Sequence, residues 1–170
     1  MGKPKLRREL TCSLAINAPC DVILGAFFNF DALVRWWHIT RAVCVPRPLG
    51  CYALEWTPTE TRDETLGRLG GVFHGTVMTF DPHHEFFVAD AYWMAPDGEP
   101  LGPMAFEVTC STDGAGSIVR VRQSSAETSA RADRYYEVVT EGLIASLLRL
   151  KAMLEEERSA RPEPGVDSAS

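Results

Sequence analysis

His74, Asp90 and Tyr92 are the residues whose types suit proton transfer, and they fall in two neighbouring runs that alternate apolar and polar positions, 72–80 and 86–94. Such alternation is the period of a β-strand with one buried face. If Phe80 stands opposite Phe86 across the Asp81-Pro82 turn, then Thr76 faces Asp90 and His74 faces Tyr92, all on one side of the sheet. A carboxylate withdrawn from water near an imidazole and a phenol could serve as acid or base. A register slipped by one residue instead turns Phe73, Val77, Phe87, Ala89 and Trp93 inward and leaves His74 and Asp90 solvated. Both registers stand on sequence alone. Other chemistries find little support. His83 and His84 are adjacent, whereas sharing a metal needs strand or helical spacing. No G-x-S-x-G, H-E-x-x-H, Walker or Rossmann pattern occurs, so neither a metal nor a cofactor is expected.

The elements that must hold these residues follow from periodicity and breakers. Leu10, Cys12, Leu14 and Ile16 alternate with polar neighbours and predict a first strand. Pro19 suits a first helical turn, and Val22, Ala26 and Phe30 recur at spacing four; Asp31 is placed to cap a second short helix reaching Trp36. Val43 and Val45, then Tyr52, Leu54 and Trp56, predict a hairpin around Pro46, Pro48 and Gly50. Residues 57–71 read as a long loop able to shape a pocket mouth. After the 72–94 hairpin, Asp97-Gly98 marks a turn; Met104, Phe106, Val108 and Cys110 then make one strand, and Val119 and Val121 belong to the last. The total is about seven strands.

The strongest pattern is C-terminal. Tyr135, Val139, Leu143, Leu147, Leu150 and Leu154 recur at spacings of three or four, predicting an amphipathic helix over 129–157 with Ser129 as N-cap. Glu137, Glu141, Arg149 and Lys151 fall off the stripe, and Pro162 and Pro164 end it. Gly142 interrupts the helix at a cost of about 1 kcal/mol relative to Ala, which close approach of a strand or ligand would explain.

Composition bounds the class. The chain has 170 residues, 45% hydrophobic and 24% charged, with a net charge of −6, which fits one globular domain and argues against general nucleic-acid binding. Five cysteines without C-x-x-C spacing read as reduced packing residues of a cytoplasmic protein. Lys3, Lys5, Arg7 and Arg8 form a basic arm, residues 1–8, with no apolar signal core behind it, and no run is long enough to span a membrane. The domain proper is expected over 9–158 and a disordered tail over 159–170.

The order strand, two short helices, six strands, long helix resembles the helix-grip fold of the START/SRPBCC superfamily, which includes the birch-pollen allergen. Ile16-x-Ala18-Pro19-x-x-Val22, Trp36-Trp37, Gly50-x-Tyr52-x-Leu54-x-Trp56, Gly75 with Asp81-Pro82, and Tyr136, Gly142 and Leu147-x-x-Leu150-Lys151 carry the resemblance. Within that superfamily the chain looks most like the branch of the C-terminal domain of the heat-shock-protein-ninety ATPase activator. The resemblance implies an α+β fold, a curved antiparallel sheet wrapped around the C-terminal helix. It also implies a pocket between them for a lipid, sterol, aromatic or polyketide-like molecule. Trp36, Tyr52, Trp56, Thr76, Asp90, Tyr92, Tyr135 and Gly142 are then the candidates to touch ligand, with Asp90, His74 and Tyr92 on the concave face as candidate catalysts of a cyclase, dehydratase or isomerase. A chaperone partner and a homodimer are compatible with the same family.

Overall fold

The computed structural model describes residues 8–161. The basic arm and the tail expected from the sequence therefore fall largely outside the described residues; of those segments, Arg8 already belongs to the first strand and Ser159 and Ala160 to the last helix. The elements run β1 (Arg8–Ile16), α1 (Cys20–Gly25), α2 (Phe30–Trp37), β2 (Arg41–Cys44), β3 (Cys51–Trp56), β4 (Arg62–Asp63), β5 (Gly67–Arg68), β6 (Gly71–Asp81), β7 (Glu85–Met94), β8 (Leu101–Asp113), β9 (Gly116–Ser125) and α3 (Ala130–Ala160). Seven strands form one antiparallel sheet in the order β1-β9-β8-β7-β6-β3-β2, and β4 pairs with β5 in a separate small hairpin. The α+β class, the strand number and the long final helix are as the sequence predicts.

Helix α3 starts where Ser129 accepts a hydrogen bond from the Ala132 N–H at 3.0 Å, satisfying a first-turn donor that the helix leaves free. Its stripe of Tyr135, Leu143, Leu147, Leu150 and Leu154 is buried. Helix α2 is capped by Asn29, whose side chain accepts from the Ala32 N–H, and Asp31 lies in its first turn instead of at the cap. The α1 stripe is shifted as well: Ile23, Leu24 and Phe27 are fully buried, whereas Phe30 is exposed.

Residues 57–71 are more ordered than a loop. Asp63 accepts hydrogen bonds from the Thr65 and Leu66 N–H groups, closing the β4–β5 turn, and its other oxygen meets Arg134 of α3 at 2.8 Å. Asp97, after β7, receives the Arg68 backbone N–H and guanidinium. The two ion pairs tie the hairpin to the helix on one side and to the sheet on the other. Both carboxyls are held down at about 2, first by hydrogen bonds from their arginines and then by backbone N–H donors.

All five cysteines are free. Cys20 and Cys110 are buried as packing residues, but Cys51 is exposed. Among the described residues no helix is long and apolar enough to cross a membrane.

Candidate functional site

A cavity of about 500 Å³ lies between the sheet and α3. Its inner end is aromatic: Phe73 of β6, Trp93 of β7 and Phe106 of β8 are buried and line it together with Tyr135 and Leu143 of α3. Trp93 lies 5.3 Å from Tyr135 between ring centroids, and Phe73 meets Phe106 edge-on at 5.8 Å. Two buried polar groups sit among them. The Gln123 amide donates to the Tyr135 hydroxyl at 2.9 Å, which leaves the phenol its own proton to donate. Burial raises the Tyr135 phenol well above its ordinary range, so it stays protonated. The outer end is bounded by Trp37 and His38 at the close of α2, by Trp56 and Thr57 at the end of β3, and by Gly142, Ser146 and Arg149 of α3.

Local structure explains why these side chains converge. Trp56 Nε1–H donates to the Trp37 carbonyl and Trp93 Nε1–H to the Gly70 carbonyl, so each indole's one polar atom is anchored while its ring forms wall. Gly70 and Gly71 hold φ values of 89° and 84°, which an L side chain would resist, and this bend brings Leu66 and Leu69 of the hairpin against the cavity. His38 ends α2 in the left-handed region, at φ 57°, and turns the chain along the cavity rim.

The β6–β7 pairing decides the fate of the proton-transfer candidates. Phe80 stands opposite Phe86, and His74 stands opposite Tyr92, with rings stacked at 6.2 Å. Thr76 pairs with Ala89, not Asp90, because β7 carries a bulge: Val88 opposes Phe106, yet the next partners, Ala91 and Met104, lie three and two residues further along. Asp90 occupies this bulge at φ 53° and is exposed. The extra residue lets Phe86 and Val88 point inward before it and Ala91 and Trp93 after it. Neither continuous register holds over the full hairpin. His74, Thr76, Asp90 and Tyr92 do not border the cavity, and Phe73 and Trp93, their neighbours of opposite pleat, do. The concave placement of these four is therefore corrected.

Of the other expected residues, Trp56, Tyr135 and Gly142 border the cavity. Trp36 and Tyr52 do not; they are fully buried in the adjoining core, with Trp36 Nε1–H bonded to the Ala26 carbonyl and the Tyr52 hydroxyl to that of Phe27. Gly142 faces open space, since a Cβ there would meet nothing within 4 Å. Arg149, expected off the helix stripe, is half-buried at the outer end, where its Nε donates to the Trp36 carbonyl at 3.0 Å. Sequence reasoning missed Phe73, Trp93 and Phe106 as a joint wall. Gly75 is the available signal for the bulge: a Cβ on it would lie 2.7 Å from Val88 and 3.0 Å from Ala91, and a glycine inside a strand marks such a bend. The His84 imidazole pairs with Asp81 of its own turn, at 2.9 Å, and the described residues contain no group of three metal-ligating side chains.

No family model and no curated protein matches the chain. Solved structures do. Protein MLL2253 of Mesorhizobium loti is 16% identical, with a TM-score of 0.66 over 88% of this chain and 98% of its own. The Aha1 dimer of Colwellia psychrerythraea is 18% identical, with a TM-score of 0.59 over 87% of this chain and 96% of that one. CalU16 of Micromonospora echinospora is 16% identical, with a TM-score of 0.59 over 90% and 80%. This chain has the helix-grip fold. At such identities the likeness is one of fold, and the function must be argued from the cavity of this chain.

Proposed function

We propose that the protein binds a small apolar, aromatic-compatible molecule in the cavity between the sheet and α3. The observation that carries this reading is the cavity itself, about 500 Å³ in volume and walled by Phe73, Trp93, Phe106 and Trp56 with only a few polar groups. Volumes of this order and such a lining are typical of small-molecule sites. The candidates Asp90, His74 and Tyr92 lie away from the cavity, and Tyr135 there keeps its proton and serves as a donor. Binding without chemistry is the better reading, and a cyclase or dehydratase would need catalysts other than these.

Titration with N-phenyl-1-naphthylamine, a neutral probe that fluoresces when withdrawn from water, tests the proposal. Saturable binding with energy transfer from tryptophan is expected, and Gly142→Leu, which fills open space at the outer end, is expected to weaken it while preserving the fold. A folded wild-type protein that takes up no probe would sink the reading. The Colwellia protein is described as a dimer. We propose self-association here as a secondary property, which a sedimentation-equilibrium mass of one chain would remove.

A further inference from the structure

The cavity has a charge pattern opposite to that of the molecule around it. The chain carries 23 acidic residues and a net charge of −6, yet among the described residues no Asp or Glu borders the cavity. The one described lining residue with a formal charge is Arg149, and His38 is the one titratable imidazole beside it. Arg149 is held still: Nε donates to the Trp36 carbonyl at 3.0 Å and Nη2 to the Ser146 hydroxyl at 2.9 Å. Its Nη1 makes no hydrogen bond among the described residues, and Arg149 takes part in no ion pair there. Arg35, Arg41, Arg68, Arg122 and Arg134 each face a carboxylate, whereas Arg149, like Arg158 at the far end of α3, is held by neutral acceptors, and of these two only Arg149 borders the cavity. A half-buried guanidinium fixed by neutral acceptors, with donors to spare, is preorganised for an anion.

We infer that the ligand is an amphipathic anion whose apolar body occupies the Phe73, Trp93 and Phe106 end and whose charged head meets Arg149. The inference rests on the binding reading above and adds the polarity and orientation of what is bound. A carboxylate or sulfonate on an aromatic or alkyl body has the required chemistry. His38, exposed at the same rim, contributes a second donor to the head.

Two probes that share a ring system separate the inference from the reading on which it rests: 2-naphthoate and its neutral counterpart 2-naphthalenemethanol, titrated by tryptophan fluorescence and calorimetry. Naphthoate is expected to bind about tenfold more tightly or better, the scale of a charge-assisted hydrogen bond. Arg149→Gln should abolish that preference, read as the ratio of the two probes' affinities within each variant, whereas Arg149→Lys should keep part of it. Equal affinity of the two probes for the wild-type protein overturns the inference and leaves the cavity as a neutral site. Retention of the preference in Arg149→Gln overturns it as well. If neither probe binds, both the inference and the binding reading fall. The wild-type comparison needs no variant, so misfolding of Arg149→Gln cannot shelter the idea.

Discussion

The molecule holds two aromatic clusters side by side, and they differ in what covers them. Under α1 and α2, Phe27 packs on Trp36 at 4.9 Å and on Phe86 at 5.5 Å, with Tyr52 beside Phe86, and all four are fully buried. Beyond Trp37, which stacks on Trp36 at 4.6 Å, the wall of Trp56, Phe73, Trp93 and Phe106 is just as aromatic but leaves a cavity. Residue type does not separate the two. The closed cluster is roofed by two short helices whose segment buries Ile23, Leu24, Phe27 and Leu33, whereas the open one is roofed by α3 and the β4–β5 hairpin, with just the end of α2 at its rim. A single helix spans the mouth of a curved sheet without filling it, and the hairpin, tied by two ion pairs, closes one side.

The contrast can be broken at its strongest point. Phe27→Ala should destabilise the protein by about 3–5 kcal/mol in denaturant unfolding, because the void it leaves is ringed by rigid aromatics. Phe73→Ala, at the cavity wall, enlarges a space already present and should cost about 1.5–3 kcal/mol, close to the transfer term alone, while weakening probe binding. Equal costs would mean that the cavity is collapsed in solution.

Acid should loosen the open side first. The carboxyls of Asp63 and Asp97 sit at about 2 in the folded protein, below the ordinary carboxylate value near 3.9. Their folded pKa values are depressed, so their contribution is complete above the unfolded value and is lost as pH falls through about 4 toward 2. Hydrogen exchange over 62–68 should accelerate across this window ahead of exchange in α1 and α2, and Asp63→Asn should produce part of the effect at neutral pH. Exchange that rises uniformly would dissociate the ion pairs from the roof.

Smaller effects sharpen the same comparison. Gly142→Ala adds a methyl to open space in a helix interior and should raise stability by about 0.5–1 kcal/mol with little change in probe affinity. Asp90→Gly relieves a left-handed backbone but frees the unfolded chain, so unfolding should shift by no more than about 0.5 kcal/mol, with binding unaffected. A marked loss of binding on Asp90→Gly would return the bulge to the functional site.

The periodic parts of the molecule are legible in the sequence for a simple reason. The α3 stripe and the alternation in β1, in β8 from Met104 onward and in β9 each report one buried face along a regular stretch, and most of the residues that the period selects there are buried. The site is half legible. Trp56, Tyr135 and Gly142 can be found from family order and helix period, but Trp36 and Tyr52 cannot be told from ligand contacts, because aromatics under a helical roof and aromatics under a gap have the same spacing. The 72–94 hairpin defeats the pattern because period two assumes an unbroken pleat. Arg149 escapes it because a charge beside a stripe reads as solvated surface until a neighbouring element, here α2, supplies the carbonyl that holds it.

The bulge at Asp90 behaves like a frame correction in the strand. Val88 and Ala91 both face inward although an even spacing would be needed without it, so the parity of every later residue in β7 depends on one extra position. Flattening the bulge while keeping the residue would present Asp90, Tyr92 and Met94 to the interior and expel Ala91 and Trp93, whereas deleting the residue would restore an even spacing and leave Trp93 inward. Among descendants of this chain, position 90 should therefore be open to substitution and to loss alike, provided that Ala91 and Trp93 stay inward.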